Sequence, residues 1–179
     1  MTPRNTNGNS GENPKDTAAA TTEDMPPADL YIDRMSPSQA LAAMLANQAH
    51  AITAIEAALP AIDAAANAAY QRLSTSDSGR LIYVGAGTSA RIGVQDGADL
   101  PPTFDWPHHR IGFVIAGGEA ALLRAVENAD DSAEAASARI TDMGVAQDDV
   151  VIGLAASGST VSTTAALAAA GQASAGPSV

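Results

Sequence analysis

The 179-residue chain carries 20 Asp and Glu against 9 Lys and Arg, a net charge of −11, and no Cys. That balance argues against nucleic acid or an anionic membrane as principal partner, since either needs clustered cations; without Cys there are no disulfides or thiolate metal sites. Hydrophobic types make up 46% of the chain, but 41 residues are Ala and aromatics only 3%, so the core is expected to be helix-rich and closely packed through small side chains.

Residues 1–28 hold a single large apolar residue, Met25, between Thr2 and Ala28. Nothing there offsets the entropy of ordering, which predicts a disordered tail. The segment lacks the apolar core of a secretory signal, and no apolar run approaches the ~20 residues that span a bilayer. A cytoplasmic protein is the expectation. At Ser36 the pattern changes: Ser36-Pro37-Ser38-Gln39 reads as a capping box with Pro at the first helical position. Leu41, Leu45, Ile52, Ile55, Leu59, Ile62, Ala66, Ala69 and Leu73 then recur at helical spacing. Pro60 interrupts this run, which predicts two helices near 37–59 and 61–73. Residues 29–73 thus form an N-terminal helical segment, followed by one domain over 74–179.

From Gly79 the period changes. Leu81-Ile82-Tyr83-Val84 is a continuous apolar run ending at Gly85, as expected of a strand buried on both faces. Ile111–Ile115 repeats the form before Ala116-Gly117-Gly118, and Val150–Leu154 repeats it before Ala155-Ala156-Ser157-Gly158. Helical segments near 89–98, 118–128 and 132–142 lie between and after. Alternating strand, small-residue loop and helix predicts a parallel α/β sheet. With three strands and a last helical pattern that dissolves into AAAGQASAGPSV, the chain reads as cut short.

In such a sheet, ligands bind outside the carboxyl ends of the strands. Three loops converge there: Gly85–Ala90 (GAGTSA), Ala116–Glu119 (AGGE) and Ala155–Thr160 (AASGST). Gly lets backbone N–H groups approach a ligand, Ser and Thr add donors, and a following helix N-terminus favours an anion. The pattern suits a phosphate held without Lys or metal. Residues 85–90 also fit the dinucleotide fingerprint G-x-G-x-x-[GA]. That reading wants an acid at the end of the second strand, whereas Asp105 falls in the loop PPTFDWP and the second strand ends in Ile115-Ala116-Gly117. His108 and His109 are adjacent and lack a carboxylate cluster at ligand spacing, so no metal is expected. Asp96, Asp99, Glu119, Asp130 and Asp131 are the acids nearest the strand-end loops.

The blocks GRLIYVGAGTSARIGVQDGADLPPTF (79–104), IAGGEAALLRAVENADD (115–131) and DVVIGLAASGST (149–160) strongly resemble the N-acetylmuramic acid 6-phosphate etherase family, bacterial members of the sugar isomerase (SIS) fold. The resemblance runs from about Asp29 to Leu167. It implies a Rossmann-like, three-layer SIS domain, incomplete here because the family chain continues with further strands and a helical C-terminal region. It also implies a homodimer and an activity without metal or redox cofactor: cleavage of the lactyl ether of N-acetylmuramate 6-phosphate to N-acetylglucosamine 6-phosphate and D-lactate, in cell-wall recycling.

The implied acid/base pair is two Glu, and both matching positions here hold Asp: Asp99 in GADLPPT and Asp130 in VENADD. The family's phosphosugar loops map onto Gly87, Thr88 and Ser89 and onto Ser157, Ser159 and Thr160, with Glu119 in the loop between. Ser159 stands where many relatives carry Arg, Val161 where Pro is usual, Ala90 where Gly is common, and Leu100 where Cys is common. The alternative is a non-catalytic phosphosugar-binding or regulatory SIS module, which the double Asp and the short C-terminus favour. Aldose–ketose isomerisation on the same fold fits less well, because PPTF and AVE-x-A point to the etherase.

Overall fold

The computed structural model describes residues 31–126 and 128–173. The tail expected over 1–28 and the last six residues of the domain expected over 74–179 lie outside them. Ser36 caps the first helix, α1 (Pro37–Ser74), as a full capping box with Gln39. Pro60 does not divide it: the helix runs on through that residue as one 38-residue element, correcting the expected pair. A proline removes one backbone donor from the ladder, and a helix of this length keeps enough other bonds to continue. None of its residues is buried. It joins the rest of the chain near its C-terminal end, where Arg72 Nη1 donates to the Asp149 carbonyl (3.3 Å) and Leu73 accepts from Arg110 Nη2 (2.7 Å).

Then follow β1 (Leu81–Gly85), α2 (Gly87–Phe104), β2 (Ile111–Ile115), the single turn α3 (Ala120–Leu123), α4 (Ala133–Asp142), β3 (Val150–Leu154) and α5 (Val161–Ala173). The strands fall where the apolar runs lie. The helices differ more: α2 extends to Phe104 through Pro101 and Pro102, and the helix expected near 118–128 shrinks to four residues. The two prolines sit in the last turn of α2. Asp105 ends it in the left-handed conformation (φ 54°), its N–H bonded to the Pro101 carbonyl at 3.0 Å.

The sheet is parallel in the order β2-β1-β3, with Gly85 paired to Ile115 on one side and Leu154 on the other. Helices cover both faces. On one, α4 and α5 pack Ala136, Ile140, Ala166 and Ala170 against Ile82, Val84, Val114 and Val151. On the other, Ala90, Val94, Ala121 and Leu122 pack with Phe113 and Ile115. This is the three-layer α/β arrangement. Gly93 and Gly97, one turn apart on α2, let that helix lie directly on the sheet. A Cβ at Gly97 would come within 2.7 Å of the Phe113 ring, and one at Gly93 within 3.1 Å of Leu154.

Asp149 ties β1 to the start of β3. Its carboxylate accepts four bonds: from the Arg80 N–H (2.8 Å), Arg80 Nε (3.1 Å), Arg80 Nη2 (2.6 Å) and the Ala146 N–H (2.9 Å). Burial alone pushes this carboxyl up, but the guanidinium and two amides outweigh it and hold it below the usual carboxylate value.

Candidate functional site

In the order β2-β1-β3 the chain leaves β1 toward β2 and returns across it to β3, so the loops after β1 and β3 part company over the strand ends. That switch point is where open α/β sheets take ligands. A cavity of about 390 Å³ lies there, within the range of small-molecule sites. Gly87, Thr88 and Ser89 line it from the first turn of α2, and Ser157 and Thr160 from the loop before α5. Gly87 begins α2 with φ +52°, a conformation open to Gly at little cost, and a Cβ there would meet nothing within 4 Å. No side chain caps this end of α2, which leaves its first N–H groups facing the cavity as anion donors.

A further wall is the segment between α3 and α4. It contributes Arg124, Ala125, Val126, Ala129 and Asp130. Two contacts hold it in place. Arg91, one turn along α2 from Gly87, reaches the Ala121 carbonyl with Nη2 (3.1 Å) and Nε (3.3 Å), and the Arg124 carbonyl with Nη2 (3.5 Å). The Ser162 N–H at the start of α5 donates to the Asp130 carbonyl at 2.9 Å. Asp130 is therefore fixed by its backbone to the helix that follows the second hydroxyl-rich loop.

Of the nine residues expected at the site, six share this cavity: Gly87, Thr88, Ser89, Asp130, Ser157 and Thr160. Ser159 stands behind Ser157, donating to its Oγ from both backbone (3.1 Å) and side chain (3.0 Å). Glu119 precedes α3 and lines a different groove, beside Arg139, Phe113 and Leu122. Asp99 is exposed on α2, twelve residues beyond Gly87 and so about 18 Å along the axis. Within one chain the two Asp are not brought together. Two charged cavity residues escaped the sequence reading, Arg91 and Arg124. Their signal is weak, because an Arg on a helix or loop ordinarily reads as a solvated charge.

Among the described residues no group of three or more His, Cys, Asp or Glu could hold a metal. Nor is any helix there long and apolar enough to cross a membrane. The dinucleotide alternative finds no acid at the end of β2, where Ala116, Gly117 and Gly118 follow Ile115. Tyr83 turns its hydroxyl away from the cavity and donates to Asp96 Oδ2 (2.5 Å), stacking beside Phe113 with centroids 5.9 Å apart.

Residues 64–171 match the family described as the glucokinase regulatory protein N-terminal SIS domain. The chain belongs to this SIS family. Among curated proteins it is similar to the N-acetylmuramic acid 6-phosphate etherase of Deinococcus radiodurans, 44% identical over 139 residues, which cover 78% of this chain and 45% of the relative. The etherases of Psychromonas ingrahamii (41% over 142 residues, 78% and 46%) and Thermosynechococcus vestitus (40% over 139 residues, 78% and 44%) are similar to the same extent. The SIS chain thus spans about half the length of the curated relatives it matches. The parallel three-stranded sheet agrees with this family assignment.

Proposed function

We propose that the chain carries the phosphosugar half of an N-acetylmuramic acid 6-phosphate etherase, cleaving the D-lactyl ether to give N-acetylglucosamine 6-phosphate and D-lactate. The observation that supports it most is the cavity itself, lined by an uncapped helix N-terminus, hydroxyls and a carboxylate. In this reading the 6-phosphate sits against Thr88, Ser89, Ser157 and Thr160, where each bond to a charged group contributes ~1.5–3 kcal/mol. The sugar, opened to its aldehyde, has an acidified proton at C2. A carboxylate removes it, a carboxylic acid protonates the departing lactate oxygen at C3, and water adds to the resulting alkene. Asp130 is one member of that acid/base pair and Asp99 the other.

The separation of Asp99 from the cavity supports a homodimer in which a second copy brings its Asp99 over the site. The apolar stripe of α1 supports it too: Leu41, Leu45, Ile52, Ile55, Leu59 and Ile62 recur at helical spacing and each is about half exposed or more. A cytoplasmic setting, where phosphosugars are found, fits this substrate. The second reading, a binding module without catalysis, draws on the two Asp, each a methylene shorter than the family's Glu. Incubation with N-acetylmuramate 6-phosphate decides between them. Release of D-lactate supports the etherase, whereas tight binding of N-acetylglucosamine 6-phosphate with no lactate supports the module.

A further inference from the structure

We infer that Arg124 recognises the carboxylate of the lactyl group, and so separates the ether substrate from its sugar-phosphate product; this rests on the etherase reading above. Two guanidinium groups line the cavity of a protein whose net charge is −11. That of Arg91 is committed to the carbonyls of Ala121 and Arg124. The Arg124 side chain is exposed and makes no ion pair or hydrogen bond with any described residue. Among the described residues it is the cavity guanidinium without a partner.

The phosphate end has its own donors in the loops at α2 and α5. Arg124 enters the cavity from the segment between α3 and α4, the same segment that brings Asp130 to it. The proposed substrate carries a second anion, on the ether at C3, next to the bonds an acid/base carboxylate must handle. A lactyl carboxylate brought beside Asp130 without a cation would be repelled by it. A guanidinium there removes the repulsion and matches the planar carboxylate with two parallel bonds. The product lacks this carboxylate and gains nothing from Arg124.

The test is calorimetric titration of the chain and of Arg124→Gln and Arg124→Lys with both sugar phosphates. The Arg124 side chain bonds to no other described residue, so neither variant should alter the fold. Arg124→Gln is expected to bind N-acetylmuramate 6-phosphate at least tenfold more weakly while N-acetylglucosamine 6-phosphate stays within twofold. Arg124→Lys should fall between, keeping the charge but losing the paired geometry. Equal weakening for both ligands would make Arg124 a phosphate contact and overturn the inference, as would no change for either. An unaltered chain that binds neither sugar phosphate would instead sink the etherase reading, and this assignment with it.

Discussion

A carboxylate one methylene short is the most consequential single-residue feature of the site. Asp99 and Asp130 stand where the resemblance calls for Glu, and a loss of reach on the order of 1 Å can cost ~100-fold in rate. Asp99→Glu with Asp130→Glu should therefore raise lactate release, by up to ~100-fold, with single restorations giving less; release unchanged in the double variant would exclude reach as the limit. Asp149 makes a different prediction. Replacing it with Asn leaves the Arg80 guanidinium without its counter-ion and should cost about 2–3 kcal/mol in urea denaturation. Because the folded carboxyl is held below its unfolded value, this stability is present above the ordinary Asp range near 4 and is lost as pH falls through the folded value. Asp149→Asn should lack that acid-dependent portion. Among residues, the meeting of the two hydroxyl-rich loops at one cavity was legible, because loops after neighbouring parallel strands converge at the strand ends. Arg124 was not, because nothing in a sequence distinguishes an Arg aimed into a cavity from one in water.

Elements were legible where apolar residues run without a break. All three strands are short apolar runs that lead into small residues, and each begins and ends as the sequence implies. Helix boundaries fared worse, for reasons that lie in particular residues. Pro60 looks like a stop, but α1 passes through it. Pro101 and Pro102 look like a loop, but one turn from a helix end they sacrifice few bonds, and Asp105 supplies the left-handed cap. The misplaced end of α2 hid the fact that Asp99 rides on a helix leading away from the site. The same helix offers a sharp test. An Ala at Gly97 would press its Cβ within 2.7 Å of the Phe113 ring, so Gly97→Ala should destabilise the fold by about 1–3 kcal/mol. The gain in helix propensity, about 1 kcal/mol, works against this. A variant at least as stable as the parent would show that α2 can lift off the sheet without cost.

For the whole molecule the open question is what covers α1. If a second copy does, Leu45→Glu together with Ile52→Glu should leave monomers whose melting temperature stays within a few degrees of an isolated parent protomer, since neither side chain is buried within the chain. A double variant that remains dimeric would move the interface elsewhere. How the mass is measured matters here. At 1.5 Å per residue, the 38-residue α1 is about 57 Å long, against a radius of gyration near 13 Å for a compact domain of about 100 residues. A rod projecting from a ball meets far more friction than a sphere of equal mass, so a lone protomer of 17.9 kDa will leave a sizing column early and pass for a larger particle. An early peak is therefore no sign of pairing; only a method that weighs the particle, such as light scattering or sedimentation equilibrium, can count the copies.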